Sequence, residues 1–286
     1  MVLATGVEYS YPKAPPLFQN LAMEIESGGI VGLLGSNGAG KTTLLKLISG
    51  VLFPHSGSIR LSGEYVVPRR PQVQAEIAYV PEQFAVPSLT VDDYTRLYAP
   101  YYPRFDHARL REYLRRFEVA GAQSLPKHSY GQQKKFLIAF ALASDAKLVI
   151  LDEPTNGLDI PSKQEFRRLI VEAASDQRTV VVSTHQVRDV ENLIDPIIVL
   201  QNGNVAFKAA MGDIADGVEV RRFATVQDAD AAGALATDVR LGQTIGLVAH
   251  GATGGEPVGG GVDLELLFGA AVNRPEELKR ACEGVR

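Results

Sequence analysis

The chain carries one stretch that decides its fold, Gly35-Ser36-Asn37-Gly38-Ala39-Gly40-Lys41-Thr42-Thr43. It matches the pattern G-x-x-x-x-G-K-S/T, follows an apolar run over residues 29–34 and precedes a helical pattern over residues 44–48. In such a loop successive backbone N–H groups point inward at an anion, and the N-terminus of the following helix adds its positive dipole end. The arrangement predicts a cradle for nucleotide phosphates, in which Lys41 reaches the outer phosphates and the Thr42 hydroxyl ligates Mg²⁺.

A second polar group lies at the end of another apolar run, over residues 148–151. Asp152 and Glu153 follow it directly, and carboxylates at the carboxyl end of a parallel strand can hold a cation or a water beside the phosphates. We expect Asp152 to help hold Mg²⁺ and Glu153 to polarise the attacking water, since phosphoryl transfer needs a nucleophile in line. His185 follows the next strand pattern, where it can hydrogen-bond a γ-phosphate oxygen and hold Glu153.

Length and composition bound the class of protein. A chain of 286 residues fits a main domain with an appendage, and 45% hydrophobic residues predict a sizeable core. The net charge of −4, without a basic block, argues against a nucleic-acid partner. The single cysteine, Cys282, excludes an intrachain disulfide framework and fits a reducing compartment.

The sequence lacks the usual signals for a membrane or a secretory route. No stretch reaches the ~20 consecutive apolar residues that span a bilayer. Residues 1–4 lack the basic and apolar regions of a secretory signal. We therefore expect a chain that is soluble by itself and that reaches a membrane only through a partner.

The order of predicted elements favours an α/β fold. Short apolar strands are predicted over residues 29–34, 57–61, 148–151, 179–183 and 197–200. Helical patterns over residues 161–174 and 187–194 alternate with them, which implies a mostly parallel sheet with helices on its faces. Residues 3–11 and 17–25 predict an antiparallel β edge, and Asn202-Gly203 predicts a tight hairpin into the last strand.

Three helical patterns fill residues 87–144. Thr90 and Asp106 are predicted to cap the first two, and the third runs from Ser129. The apolar positions at helical spacing are Val91, Tyr94, Leu97 and Tyr98 in the first helix and Leu110, Leu114 and Phe117 in the second. We expect an inserted helical subdomain within a main domain over residues 1–212.

Residues 213–286 differ in character from the rest. Alternating, strand-like runs fill residues 213–247, six glycines fall within residues 251–261, and helical patterns follow from 262 and from 275. The pattern predicts a small C-terminal appendage, for which the residues indicate no function.

The order of the motifs resembles the ATP-binding-cassette (ABC) ATPases. The motifs are the phosphate loop, then Ser129-Tyr130-Gly131-Gln132-Gln133, then residues 148–159 with Asp152-Glu153-Pro154 and Gly157-Leu158-Asp159, then Ser183-Thr184-His185. The chain is similar in particular to the stand-alone nucleotide-binding subunits of bacterial exporters, over residues 1 to about 210. The resemblance implies a P-loop NTPase fold.

The resemblance also implies roles for residues outside the phosphate loop. Ser129, Gly131 and Gln132 belong to the family signature, which completes the site of the other subunit across a dimer interface, and Asp159 crosses the same interface. The usual Leu-Ser-Gly-Gly-Gln reads here His128-Ser129-Tyr130-Gly131-Gln132. The tyrosine adds bulk near the nucleotide of the opposing subunit.

Two positions leave alternatives open. A tyrosine would stack on the adenine ring; Tyr9 and Tyr11 share a predicted strand face, and Tyr11 is favoured because it lies nearer the turn. The loop that touches Mg²⁺ usually carries glutamine after a proline, but here Glu82 and then Gln83 follow. Adjacent side chains in an extended segment face opposite ways, so one of the two is expected to reach the site, and Glu82 is favoured by position.

The implied protein is a cytoplasmic ATPase subunit that binds ATP and Mg²⁺, closes into a dimer with two shared sites and hydrolyses ATP to reopen. Its partners are a second ATPase subunit, in a homodimer or a heterodimer, and a separate transmembrane permease that holds it at the inner face of the cell membrane. Residues 102–106 and 262–268 look like those of exporter subunits. The alternative is a soluble switch ATPase acting on a protein or ribosomal partner.

Overall fold

The computed structural model describes residues 1–187, 191 and 193–283. The helix predicted over residues 187–194 falls mainly on positions outside that set. The strands are β1 (Val2–Tyr9), β2 (Phe18–Ile25), β3 (Ile30–Leu34), β4 (Ser56–Leu61), β5 (Glu64–Tyr65), β6 (Ile77–Val80), β7 (Leu148–Asp152), β8 (Thr179–Thr184), β9 (Ile197–Gln201), β10 (Asn204–Ala209), β11 (Val218–Phe223), β12 (Ala236–Arg240), β13 (Gln243–Ala249) and β14 (Glu256–Pro257). The α-helices are α1 (Lys41–Ile48), α2 (Pro71–Gln74), α3 (Val91–Tyr98), α4 (His107–Arg116), α5 (Tyr130–Ala143), α6 (Ile160–Ala173), α7 (Met211–Gly217), α8 (Val226–Ala231), α9 (Leu264–Asn273) and α10 (Pro275–Glu283).

The central sheet is built around the short apolar strands β3, β7 and β8, which are buried along their length. Its order is β10-β9-β3-β8-β7-β6, and all neighbours are parallel except β10 and β9. Asn202 and Gly203 have φ angles of 48° and 74° and form the hairpin between those two strands. The predicted parallel core and hairpin are confirmed. This topology brings the carboxyl ends of β3, β7 and β8 to one edge of the sheet.

The first two strands belong to a separate antiparallel sheet of order β2-β1-β4-β5. The antiparallel pairing of β1 with β2 is confirmed. The predicted extent of β1 is wrong at its end, because the strand stops at Tyr9 and the chain turns, with the Ala14 N–H donating to the Tyr11 carbonyl at 3.0 Å. Tyr11 therefore lies beyond the strand and does not share a strand face with Tyr9.

Helices α3, α4 and α5 form the predicted helical subdomain, and each begins at its predicted cap. Thr90 Oγ1 accepts from the Asp93 N–H at 3.1 Å, and Asp106 Oδ1 accepts from two N–H groups of α4. Leu97 is 52% exposed, so its predicted place on the buried face of α3 is wrong. The buried residues of that helix are Val91 and Thr95, which lie one turn apart on the same face. Leu97, six positions after Val91, lies on a different face, which is exposed to solvent.

The C-terminal residues form a third sheet, of order β12-β13-β11-β14, with helices around it. The prediction of strand-like runs over residues 213–247 missed α7 and α8, which interrupt them. The short α8 is fixed by a capping box in which Thr225 accepts from the Asp228 N–H at 3.1 Å. Leu267 of α9 is fully buried in the same core as Leu34 and Val199. Among the described helices, none is both long and apolar enough to cross a bilayer.

Candidate active site

The glycine-rich loop joins β3 to α1, as predicted. Gly40 caps α1 with φ 105°, and no side chain of the described residues caps the first N–H groups of the helix. Those N–H groups have no acceptor within the helix, so they remain available to an anion. Gly38 has φ 82° with open space where a Cβ would lie, which lets the backbone approach a ligand closely.

The loop lines a cavity of about 510 Å³. The cavity also receives side chains from the turn after β1, from the loop after β6 and from the ends of β7 and β8. Its polar and aromatic lining consists of Tyr11, Ser36, Asn37, Lys41, Thr42, Thr43, Glu82, Glu153 and His185. Residues far apart in the sequence therefore converge on the phosphate loop.

Lys41 is nearly buried at the start of α1. Its Nζ donates to the Gly35 carbonyl at 2.7 Å and to the Ser36 carbonyl at 3.3 Å, and lies 3.8 Å from Glu153 Oε1. Burial lowers the pKa of Lys41, and the neighbouring Glu153 carboxylate opposes that shift. The ammonium group thus lies against the phosphate loop, where it could form a charged hydrogen bond with a bound anion.

Asp152 and Glu153 are both buried, and each leaves one oxygen without a partner. Asp152 Oδ1 accepts from Ser183 Oγ at 2.5 Å, while Glu153 Oε1 lies 2.8 Å from His185 Nδ1. Asp152 Oδ2 and Glu153 Oε2 are buried and make no hydrogen bond to a described residue. Buried unpaired carboxylate oxygens call for a cation or a water, and hard oxygen donors such as these and the hydroxyl of the cavity residue Thr42 fit Mg²⁺.

The backbone of Glu153 is held in an unusual conformation. Its φ angle is 46°, in the left-handed region, and its N–H donates to the Ser183 carbonyl at 3.1 Å and Oγ at 3.2 Å. This conformation is unfavourable for a glutamate, and the two hydrogen bonds that its N–H donates to Ser183 of β8 offset the cost. The conformation aims the carboxylate at His185 and Lys41.

The structure distinguishes the two pairs of alternative residues, Tyr9 or Tyr11 and Glu82 or Gln83, by their positions relative to the cavity. Tyr11 lines the cavity, and its hydroxyl lies 3.0 Å from Thr43 Oγ1, whereas Tyr9 is buried and stacks on His55. Glu82 also lines the cavity and accepts from Asn156 Nδ2 at 3.2 Å. Gln83 is exposed and lies outside the cavity lining.

The signature residues lie apart from this cavity. Ser129 is exposed, and its Oγ accepts from the Gln132 N–H at 3.3 Å in a capping box at the start of α5. Gly131 is the second residue of that helix. Asp159 is exposed and caps α6 through the Ser162 N–H. Hydrogen bonds from the side chain and the backbone of Ser162 hold the pKa of Asp159 below its ordinary value. Ser129, Gly131, Gln132 and Asp159 are all absent from the cavity lining.

Known proteins carry the same sequence pattern. The profile of the family described as ABC transporter matches residues 18–156. The chain is 32% identical over 200 residues to the ABC transporter ATP-binding protein NatA of Bacillus subtilis, covering 68% of this chain and 81% of that protein. This chain belongs to the ATP-binding proteins of ABC transporters. The predicted resemblance, the ATPase class and ATP as the bound nucleotide are therefore confirmed for this cassette.

Two further Bacillus subtilis proteins show how far the likeness extends. An uncharacterised ABC transporter ATP-binding protein, YdbJ, is 34% identical over 199 residues. The match covers 68% of this chain and 65% of the length of YdbJ. The SkfA peptide export ATP-binding protein SkfE is 35% identical over 193 residues, covering 65% of this chain and 80% of that protein.

Solved structures agree on the fold of the cassette. An ATP-binding subunit of an ABC transporter superimposes with a TM-score of 0.67 at 26% identity, over 75% of this chain and 91% of that one. A dimeric ATP-binding cassette in a post-hydrolysis state, bound to ADP and phosphate, gives 0.65 at 25% identity, over 73% and 98%. The predicted mixed α/β P-loop fold is confirmed.

Sequence reasoning missed one charged residue beside the site of the cassette. Lys134 lies in α5 next to Lys135. It is fully buried, and its Nζ donates to the Glu153 carbonyl at 2.9 Å and the Asn156 carbonyl at 3.0 Å. Burial lowers the pKa of Lys134, an effect that the nearby Glu82 and Glu153 carboxylates oppose. Its position between apolar residues of one helical face was the available signal.

Proposed function

We propose that this cassette binds MgATP and hydrolyses it as the energising subunit of an ABC transporter, with each site shared between two cassettes. One observation carries the proposal. Lys41, Glu153 and His185 meet in one cavity, whereas Ser129 and Asp159 are exposed elsewhere on the same chain. Each chain thus offers two separate half-sites, and a second copy or a related chain would supply the missing half to each cavity.

The chemistry follows from the charges around the cavity. Lys41 and the N–H groups of α1 hold the phosphates, and Tyr11 supports the adenine ring. Thr42, Asp152 and Glu82 hold Mg²⁺, which compensates phosphate charge when it is bound. Ser129, Gly131 and Gln132 contribute the N-terminus of α5 to the phosphates of the opposing site.

Glu153 acts as the general base in this proposal. The two bonds that the Glu153 N–H donates to Ser183 fix its backbone, and the contact with His185 fixes its carboxylate, so that it can orient a water and accept its proton. His185 holds Glu153 and presents its other ring nitrogen toward the γ-phosphate. Hydrolysis removes the shared γ-phosphate contacts, and the dimer reopens.

We infer that the partner is a separate membrane permease, which places the cassette at the cytoplasmic face, and that the transporter is an exporter. An apolar groove of about 890 Å³, lined by the helical subdomain together with the segment from α2 to β6, supports a docking site. Aromatic and aliphatic side chains line it, among them Phe84, Tyr94, Tyr98, Tyr101, Tyr102 and Leu137. A short amphipathic helix of the permease would fit such a groove. The likeness to the peptide export protein SkfE supports the direction.

Purification of the tagged chain from a detergent extract of its own cells tests the partner. We expect a multi-span membrane protein to co-purify, and Tyr101→Asp to lose it because a charge is placed in the groove. A folded Tyr101→Asp chain that keeps the membrane protein would contradict the groove assignment. Recovery of ribosomes or soluble proteins alone would favour the switch ATPase instead.

A further inference from the structure

The tyrosine that departs from the family signature makes specific contacts within its own chain. Tyr130 is the first residue of α5, and its hydroxyl donates to the Glu82 carbonyl at 2.6 Å. Its ring stacks on Phe84, with centroids 4.8 Å apart and planes 12° apart. The signature helix is thereby joined to the loop after β6, and a glycine at this position could make neither contact.

The N-terminal part of α5 is itself fixed to the segment after β7, which carries Glu153. Lys134, one turn along the helix, bonds to the Glu153 and Asn156 carbonyls. Gly157 lies against the tyrosine, since a Cβ at that position would be 3.2 Å from Tyr130 Cδ1. The hydroxyl of Tyr130 therefore projects from a rigid support toward Glu82.

Glu82 is held at two points. Tyr130 holds its backbone carbonyl, and Asn156 Nδ2 donates to its Oε1 at 3.2 Å. The Glu82 side chain, held in this way, lines the nucleotide cavity. Small displacements of a cation-binding oxygen weaken binding, because the geometry of Mg²⁺ is strict.

We propose that Tyr130 is a positioning residue for the cation: it sets Glu82 at the cavity of its own chain and so strengthens the binding of Mg²⁺ with the nucleotide. The proposal rests on the proposed function, in which Glu82 contacts Mg²⁺. It assigns the departure from the signature a task in its own chain, in addition to any contact across the dimer.

The test measures how much Mg²⁺ increases the affinity for ADP, by calorimetry with and without the cation. Tyr130→Phe keeps the stacked ring and loses the bond to Glu82. We expect the Mg²⁺-dependent gain in affinity to fall by about two- to tenfold, the range for one lost hydrogen bond. The affinity for ADP without Mg²⁺ is expected to stay unchanged.

A double-mutant cycle shows whether the effect passes through Glu82. In a Glu82→Ala background, Tyr130→Phe should reduce the gain no further. Phe84→Leu, which removes the stacking partner, should reduce the gain in the wild-type background. Tyr65→Phe is the matched control, because Tyr65 is 45% exposed against 46% for Tyr130 and loses one hydrogen bond, from Arg60, outside the site.

An unchanged gain in Tyr130→Phe, or an equal loss in both backgrounds, would overturn the proposal. Thermal melting checks that each variant is folded. ATP hydrolysis by the wild-type chain is measured alongside, and its absence would count against the proposed function. The calorimetric cycle still decides the task of Tyr130 in that case, so the two failures are distinguishable.

Discussion

The nucleotide cavity and the signature surface of this cassette differ in how their polar groups are satisfied. At the cavity, the lining residues Lys41 and Glu153 and the adjacent Asp152 are almost wholly buried, and two carboxylate oxygens have no described partner. On the signature surface, Ser129 and Asp159 are exposed and are occupied as helix caps. The first region is prepared for a charged ligand, while the second is stable without one.

Because of this difference, each half of a divided site can remain folded without the other half. Buried charges are costly alone, so Lys41 and Glu153 lie close enough to offset part of that cost until a ligand arrives. A helix N-terminus contributes neutral N–H donors and a partial positive charge, which cost little in water. The signature surface can therefore await a phosphate that another chain brings.

Glu153→Gln gives the largest expected effect on the cavity side. The amide keeps the shape but cannot accept a proton, so turnover should fall by about 10²- to 10⁴-fold. ATP should still bind, and the chain should accumulate as a dimer in ATP. Steady-state hydrolysis and gel filtration measure both.

Glu64→Gln is the control for that variant, because Glu64 is exposed and pairs only loosely with Arg70, at 3.5 Å. Normal turnover in Glu153→Gln would remove the general-base role. It would also remove the contrast between a reactive cavity and a passive surface.

Lys41→Ala is expected to have the next largest effect. It removes a charged hydrogen bond to phosphate, worth about 1.5–3 kcal/mol, so ATP affinity should fall by roughly 10- to 100-fold. Equilibrium titration with a fluorescent nucleotide checks this. Lys46→Ala, on the same helix, is the control and should bind normally. Equal affinity in Lys41→Ala and wild type would be incompatible with the phosphate cradle.

Arg104→Met gives the smallest expected effect and concerns how the helical subdomain, which carries Ser129, is held to the central sheet, which carries the cavity. Arg104, between α3 and α4, donates to both Glu76 oxygens, at 2.9 and 2.6 Å, and lowers the pKa of that carboxyl. The stability it contributes is present above the ordinary pKa of glutamate and is lost as pH falls through the lowered pKa. The variant should lose about 0.2–1 kcal/mol near neutral pH, as expected for a partly exposed pair.

Urea unfolding of Arg104→Met at neutral and acidic pH measures that loss. Arg96→Met, which breaks a pair within α3, is the control because that pair does not join the helical subdomain to the central sheet. A deficit that stays constant as pH falls would show that Arg104 acts through packing and not through the Glu76 carboxylate.

Local signals in the sequence predicted much of this molecule. The phosphate loop and the caps Thr90, Asp106 and Ser129 depend on short-range rules, in which a side chain bonds N–H groups two or three residues away. The strand ends that carry Asp152 and His185 followed from the alternation of strands and helices. These features needed no knowledge of tertiary contacts.

The features that were missed depend on contacts between distant segments. The buried charge of Lys134 depends on two carbonyls about twenty residues away. The bond from Tyr130 to Glu82 spans 48 positions. Leu97 was misplaced because the packing of α3, not the spacing of its apolar residues, decides which stripe is buried.

A mixing experiment tests the central claim, that each site is shared between two chains. Lys41→Ala disables the cavity half and Ser129→Glu disables the signature half, so each variant alone should be inactive. In an equal mixture, random pairing restores one intact site in half of the dimers, and activity should return to about a quarter of the wild-type rate. A mixture that stays as inactive as its components, while both variants fold and dimerise, would contradict the claim.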